Sequence, residues 1–186
     1  IISADSMQVY RHMDIGSAKI RPEEMCGVPH YLIDVLDPSE EFHVVKFVEL
    51  AHEAMEKIYA AGQIPIVTGG TGFYIQALLK EVDFTESHGE LPIRKQLEEK
   101  AATEEGAAEL YRELSEVDPA SAETIHPNNV KRVIRALEYY HETGQKISEH
   151  NEEQKQKESP YCSAYFVLND ERSILYDRID TVSYTH

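Results

Sequence analysis

Cysteine is scarce in this sequence. The 186 residues contain only Cys26 and Cys162, which stand far apart, and neither has metal-ligating partners at a useful spacing. A disulfide-stapled fold and a structural zinc site are therefore disfavoured. Two free, reduced thiols are typical of a cytoplasmic protein.

Long hydrophobic runs are missing as well. No apolar stretch approaches the roughly 20 residues that a membrane span needs, and we expect no signal peptide. With 41% hydrophobic and 28% charged residues, the composition is that of a globular protein with one domain, or one domain carrying an insertion. We therefore expect no membrane partner.

Positive charge is in short supply. The chain has 18 Lys and Arg residues against 34 Asp and Glu residues, a net charge of −16. Broad, nonspecific nucleic-acid binding needs many Lys and Arg contacts to phosphate, so the composition argues against it. A local basic patch on an acidic body remains compatible with this balance.

The first part of the chain alternates between short apolar runs and helical patterns. Apolar runs that predict strands cover residues 1–4, 30–38 and 63–70. Apolar residues at three- and four-residue spacing predict an amphipathic helix over 46–61, and a second helix is predicted over 71–80. This alternation indicates an α/β fold with a parallel sheet.

The composition changes after about residue 90. Residues rich in Ala, Glu and Leu predict a wholly helical segment, which ends in a polar linker, and residues 161–169 return to strand character. We therefore predict an α/β core over 1–91 and 159–186, interrupted by a helical insertion domain over 92–158.

Two predicted strands end in unusual residues. The first is followed by Asp5-Ser6-Met7-Gln8, and the other by Gly69-Gly70-Thr71-Gly72. Ligands of open parallel sheets bind outside the carboxyl ends of the strands. A glycine-rich turn before a helix exposes N–H groups that suit a phosphate, although such a turn is often only a tight turn. No lysine follows as in a Walker A loop.

The cluster after the first strand has several interpretations. Asp5 suits a general base, a metal ligand acting through water, or a helix N-cap. Ser6 and Gln8 suit hydrogen bonding to a planar ring edge, and solvent exposure accounts for them equally well.

Basic residues cluster on one predicted helix. Lys131 and Arg135 share a helix face because they are four residues apart, and Arg132 lies three before Arg135. An anion site, a solvated face and an intrahelical ion pair between Arg135 and Glu138 are the alternatives. Arg94 belongs to a second, smaller basic spot.

Four segments in register carry a family resemblance. The segments ISADSMQVYRHMDIGSAK, HYLIDVLDP, PIVTGGTGFYIQALL and IHPNNVKRVIRALEYYHETG together resemble the tRNA dimethylallyltransferases. The resemblance implies a core related to P-loop NTPases, with a helical insertion that grips the tRNA anticodon stem-loop. It also implies transfer of a dimethylallyl group from dimethylallyl diphosphate to N6 of adenosine 37, with Mg²⁺ on the diphosphate. Independently of the resemblance, we expect a cytoplasmic monomer.

The same resemblance implies roles for individual residues. Asp5 is expected to be the general base at N6, and Thr71 to lie near the departing diphosphate. The implied tRNA contacts are Asp5, Ser6, Met7, Gln8, Arg94, Lys131, Arg132, Val133, Ile134 and Arg135. The implied diphosphate contacts are Gly69, Gly70, Thr71 and Arg135, and no residue is assigned as a direct metal ligand.

The resemblance also implies that the chain is truncated at both ends. Family members carry a strand, a phosphate-binding loop and a helix before the segment that begins here, and RIDTVSYTH departs from the family pattern after Asp180. We therefore expect the P-loop strand and helix to be absent and the 186-residue chain alone to be inactive.

Three other functions compete with this interpretation. An adenylate isopentenyltransferase would perform the same chemistry on a free nucleotide, and a P-loop nucleotide kinase would share the core topology. A non-catalytic RNA-binding module could be built around the insertion. The basic helical insertion favours a tRNA acceptor, because a small nucleotide needs no such grip.

Overall fold

A computed structural model describes residues 1–82 and 92–185. The chain divides into two compact units, one formed by Ile1–Val82 with Ser159–His186 and the other by Asp83–Glu158. The second division falls at the predicted residue 159. The predicted division after residue 91 borders a segment outside the described residues.

The first unit contains a short parallel pair of strands. Strand β1 (Ile2–Ser3) pairs with β2 (Val67–Thr68), with Ile2 opposite Val67. Tyr31 bonds to the other edge of β1, because its N–H donates to Ile1 O (2.9 Å) and its carbonyl accepts from Ser3 N (3.0 Å). The segment that opens the chain is therefore flanked on both sides.

The strand predicted over residues 30–38 is wrong except for single bridges at Tyr31 and Leu36. Leu32 and Asp34 adopt positive φ angles of 62° and 55°, which break the extended backbone that a strand requires. Side chains with a Cβ adopt this conformation only where surrounding contacts stabilise it.

Of the other predicted strands, one is shortened and one is absent. In the run over 63–70, only β2 is extended in a sheet, and Ile64 and Ile66 are 86% and 60% exposed rather than buried. Residues 161–169 form no strand, and Phe166 and Leu168 face solvent. Apolar composition alone therefore overstated how far the sheet extends within the described residues.

Two helices cover the core of the first unit. Helix α1 (Val44–Ala60) occupies the predicted amphipathic segment, and α2 (Gly72–Lys80) follows the glycine-rich turn. Phe47 of α1 stacks on Tyr74 of α2 with ring centroids 4.8 Å apart, and both rings are buried. An aromatic pair of this kind adds about 1 kcal/mol beyond the burial of its area.

The described part of the second unit is wholly helical. Its helices are α3 (Pro92–Lys100), α4 (Glu104–Val117), α5 (Pro119–Thr124), α6 (Val130–Thr143) and α7 (Ile147–Gln156). Their apolar faces meet in one core, which includes Leu110, Leu114, Val133, Ile134 and Leu137. The final helix, α8 (Arg172–Thr185), belongs to the first unit. Across the described ranges, no helix is both long and apolar enough to cross a bilayer.

A buried carboxylate joins two helices of the second unit. Asp118 is 2% exposed, and its two oxygens accept the N–H and hydroxyl of Ser121 (3.1 and 2.7 Å) and of Ser148 (3.0 and 2.6 Å). Ser121 lies in the first turn of α5 and Ser148 in the first turn of α7. One side chain therefore satisfies backbone donors at two helix N-termini.

Replacing Asp118 by asparagine is expected to destabilise the chain by about 2 kcal/mol at neutral pH, because two of the four donors lose their acceptor. Burial alone would raise the pKa of Asp118, but the hydrogen bonds from Ser148 and Ser121 outweigh it and hold the pKa below its ordinary value. The stabilisation is therefore complete above about pH 4 and is lost as the pH falls through the depressed value. Urea unfolding at pH 7 and at pH 3 measures both effects.

The exposed Glu116, in the same unit, provides the control. Glu116→Gln should leave the urea midpoint nearly unchanged at both pH values, since surface carboxylates contribute little. Equal midpoints for Asp118→Asn and Glu116→Gln at pH 7 would contradict the capping role of Asp118.

Candidate active site

Asp5 forms a tight turn at the carboxyl end of β1. Its Oδ1 accepts the backbone N–H groups of Met7 (2.7 Å) and Gln8 (3.1 Å), which is the geometry of an Asx turn. Among the described residues, none donates a hydrogen bond to Oδ2. One carboxylate oxygen therefore holds the backbone, and the other remains available to a ligand.

Gln8 points into the protein rather than towards a ligand. Its Oε1 accepts from Ser3 Oγ (2.9 Å), and its Nε2 donates to the carbonyls of Ser17 (3.0 Å) and Ala18 (3.3 Å). The polar atoms of this amide are used internally, and its contact with a base edge stays a prediction. Ser6 and Met7 of the same turn are exposed.

The glycine-rich turn approaches the end of β1 closely. A Cβ on Gly69 would lie 2.4 Å from the carbonyl carbon and oxygen of Ala4, and its φ of +159° lies at the edge of the region that favours glycine. Thr71 N donates to the same carbonyl of Ala4 (3.2 Å), one residue before Asp5. Asp5 and Thr71 therefore lie at the same edge of the sheet.

Thr71 occupies the N-cap position of α2 without capping it. Its side chain accepts no hydrogen bond from the helix backbone, and the adjacent Gly70 is exposed. The start of a helix carries partial positive charge and N–H groups that lack helical partners. The edge therefore combines a carboxylate, a hydroxyl and an anion-attracting helix terminus.

A buried lysine that the sequence did not single out stabilises the loop next to the turn at Asp5. Lys19 is 8% exposed, and its Nζ donates to Tyr10 O (2.8 Å), Asp14 Oδ1 (2.9 Å) and Asp34 Oδ1 (2.6 Å). Burial acts to lower the pKa of Lys19, but its bonds to the two aspartates raise it overall. Lys19 stabilises the loop whose carbonyls accept hydrogen bonds from Gln8. No local sequence pattern predicts the contacts of Lys19 with Asp14 and Asp34.

The predicted basic residues of the second unit lie on α3 and α6. Lys131 and Arg132 are exposed and form no ion pair with any described residue. Arg94 and Arg135 are each 37% exposed at the side chain, and both contact Oε2 of Glu138, at 3.3 and 3.2 Å. The intrahelical pair considered for Arg135 is therefore present, with an additional arginine from another helix.

Val133 and Ile134 do not belong to this basic surface. They are 1% and 5% exposed and pack in the core of the helical unit, because their spacing places them on the apolar stripe of α6. The expectation that they contact tRNA is corrected for their side chains.

The sequence is similar to proteins of one family. The sequence profile described as IPP transferase matches residues 8–182. This chain belongs to the IPP transferase family. It is 63% identical over 180 residues to a tRNA dimethylallyltransferase of Lachnoclostridium phytofermentans, covering 97% of this chain and 57% of that protein. A tRNA dimethylallyltransferase of Bacillus mycoides is 48% identical, with 97% and 56% covered.

Solved structures of this family share the fold. The full-length tRNA isopentenylpyrophosphate transferase of Bacillus halodurans superposes with a TM-score of 0.58 at 44% identity, over 97% of this chain and 55% of that one. A eukaryotic dimethylallyltransferase acting on tRNA gives a TM-score of 0.81 at 36% identity, over 97% and 44%. The chain spans a little over half the length of the curated relatives that it matches.

Proposed function

We propose that this chain supplies the acceptor site of a tRNA dimethylallyltransferase, which transfers a dimethylallyl group from dimethylallyl diphosphate to N6 of adenosine 37. The observation that carries the proposal is the juxtaposition of Asp5 and Thr71. Both adjoin the carbonyl of Ala4, so a base and an anion-attracting helix terminus lie at one edge of the sheet. The names of the family relatives agree with this assignment.

Asp5 activates the nucleophile in this mechanism. The lone pair of adenine N6 is delocalised into the ring, so the amine attacks poorly without a proton acceptor. As the N6–carbon bond forms, Oδ2 of Asp5 accepts a proton from N6. The bonds from Met7 and Gln8 to Oδ1 keep the carboxylate oriented throughout.

The glycine-rich turn receives the leaving group. The carbon–oxygen bond of the substrate breaks with its electron pair moving to the diphosphate, whose growing charge needs stabilisation. The N–H of Gly70, the start of α2 and the hydroxyl of Thr71 supply it, while the N–H of Thr71 stays bonded to the carbonyl of Ala4. Gly69 permits the close approach that keeps these donors beside Asp5.

Magnesium fits the donor chemistry of this edge. The carboxylate of Asp5 and the hydroxyls of Ser6 and Thr71 are hard oxygen donors, which Mg²⁺ prefers. Within residues 1–82 and 92–185, no group of three or more acidic, histidine or cysteine side chains gathers to hold an ion. Thr71 would therefore hold Mg²⁺ jointly with the diphosphate, whose charge the ion neutralises when bound.

We also propose that the first unit is a core of the P-loop NTPase type. A parallel strand pair, followed by a glycine-rich turn that opens a helix, supports a core of the P-loop NTPase type. The five helices in the described part of the second unit support a helical insertion that holds tRNA.

The basic surface of α6 and α3 provides the tRNA contacts. Lys131, Arg132, Arg135 and Arg94 supply positive charge locally on a chain of net charge −16. Proteins recognise an anticodon loop by its shape, with the target base flipped out of its stack. This recognition needs only a local basic surface of this kind. The overall acidity therefore does not oppose this function.

The test uses a composite enzyme, in which this chain replaces the matching segment of the Lachnoclostridium relative. We expect it to form dimethylallyladenosine in tRNA that carries adenosine 37, and not in tRNA with guanosine there or in AMP. Mass spectrometry of digested tRNA measures the product. Transfer to AMP alone would favour the free-nucleotide reaction, and no transfer to either acceptor would overturn the proposal.

Neutralising Lys131 and Arg132 should weaken tRNA binding with a reduced salt dependence. The double variant Lys131→Gln/Arg132→Gln is expected to lower the slope of log Kobs against log salt by about 2, because each lost phosphate contact removes about 1. Binding titrations of the composite enzyme at several salt concentrations measure the slope. Lys155→Gln, which removes a lysine ion-paired to Glu152 in the same unit, should leave the slope unchanged.

A further inference from the structure

Glu138 is a buried charge at the centre of the basic surface. Its side chain is fully buried on α6, and its Oε2 accepts from both Arg94 Nη1 (3.3 Å) and Arg135 Nη1 (3.2 Å). Arg94 comes from α3, 44 positions earlier in the chain. One oxygen atom therefore brings guanidinium groups from two helices side by side.

Stability alone does not account for this arrangement. Burying a carboxylate is costly, and well-packed apolar residues usually stabilise a core at least as well as a buried ion pair. Glu138 Oε1 has no hydrogen-bond partner among the described residues, so the carboxylate is also incompletely satisfied. What the carboxylate does provide is a common anchor for two partly exposed arginines.

Two arginines at a fixed separation suit an RNA phosphate. Guanidinium groups bind phosphate through paired, charge-assisted hydrogen bonds, and their affinity depends on orientation as well as charge. Arg94 is also held by Glu98, whose Oε1 lies 3.0 Å from Arg94 Nε, so Glu138 is the anchor that the two arginines share. Held in this way, the two side chains lose less conformational freedom when a phosphate binds. Each keeps about a third of its side-chain surface exposed for that contact.

We propose that Glu138 is a positioning residue, which holds Arg94 and Arg135 as a two-guanidinium clamp for one phosphate of the tRNA. This inference rests on the proposed tRNA-binding function and adds to it the residue that orients the clamp. Glu138 itself does not contact the RNA.

The variant Glu138→Gln distinguishes positioning from simple electrostatics, because the two predict opposite changes in affinity for tRNA. Removing a negative charge near an anion site should strengthen RNA binding if only net charge matters. Positioning predicts the opposite, a Kd for the anticodon stem-loop raised about tenfold because the two arginines lose their common anchor. We expect KM for tRNA to rise while kcat at saturating tRNA stays the same.

Glu113→Gln is the matched control. Glu113 is an acidic partner of Lys100 (3.8 Å) and His141 (3.0 Å) in the same unit, and its ion pairs include neither arginine. Its neutralisation should leave Kd unchanged or slightly lower it. Thermal unfolding of each variant shows whether the helical unit remains folded.

A double-mutant cycle tests whether Glu138 acts through the arginines. In the Arg94→Gln/Arg135→Gln background, Glu138→Gln should no longer weaken tRNA binding. If Glu138→Gln does not fold, the two arginine substitutions alone decide the matter, because a clamp predicts that their combined effect is smaller than the product of the single effects.

The outcomes separate the inference from the proposed function. If the parent composite enzyme does not bind tRNA, the proposed function fails. If the parent enzyme binds tRNA while Glu138→Gln binds tRNA equally or more tightly, this result overturns only the positioning role. The same conclusion follows if the effects of Arg94→Gln and Arg135→Gln on Kd multiply in the double variant.

Discussion

Replacing Asp5 by asparagine in the composite enzyme is expected to lower kcat for dimethylallyl transfer by about 10²- to 10⁴-fold, which is the usual contribution of a general base. Asparagine keeps an oxygen at the Oδ1 position, so the bonds from Met7 and Gln8 are retained and the turn should persist. What is lost is the proton acceptor that we propose at Oδ2. Single-turnover rates with saturating tRNA measure the effect.

Asp37 provides the control for this substitution. Its Oδ1 accepts the N–H (3.0 Å) and hydroxyl (2.6 Å) of Ser39, so it forms a similar turn in an exposed loop of the same unit. Asp37→Asn should leave kcat within a factor of about 2. If Asp5→Asn also left kcat within a factor of about 2, Asp5 would only be a turn residue. The non-catalytic RNA-binding alternative would then gain support.

The second large effect is expected from Gly69→Ala. The added Cβ would meet the Ala4 carbonyl at 2.4 Å, and the φ of +159° disfavours any residue with a side chain. Separating the two segments should cost about 3 kcal/mol, the sum expected for overpacking and backbone strain. Because Thr71 and Asp5 adjoin the same carbonyl, transfer activity should fall together with stability.

Gly70→Ala is the matched control within the same turn. A Cβ at Gly70 meets nothing within 4 Å, so we expect a change below about 1 kcal/mol and retained activity. Thermal unfolding and transfer rates for both variants measure the difference. Equal behaviour of the two alanine variants would contradict the close approach at Gly69.

The sequence predicted those features of the fold that depend on local patterns. The helix predicted over 46–61 is α1, because apolar periodicity along a helix reports directly which face is buried. The carboxyl-end position of Asp5 and of the glycine-rich turn followed from the strand–turn–helix pattern. The family prediction is confirmed by the match over residues 8–182.

Two of the departures from the sequence predictions, at residues 30–38 and at Gln8, have a common cause. The strand predicted over 30–38 is broken at Asp34, whose N–H donates to Gln8 O and whose carboxylate binds Lys19. The same cluster turns the amide of Gln8 inward. These contacts join residues that lie far apart along the chain, so a reading of neighbouring residues could not reveal them.

The amino-acid sequence by itself determined the family, the helical periodicity and the type of residue at each strand end, because each depends on residues close together in the chain. Only the tertiary structure decided which polar and charged side chains contact one another. Lys19 with Asp34, Asp118 with Ser148, and Arg94 with Glu138 are separated by 15, 30 and 44 positions. Packing brings such pairs within hydrogen-bonding distance, and burial then makes those contacts strong enough to orient the site.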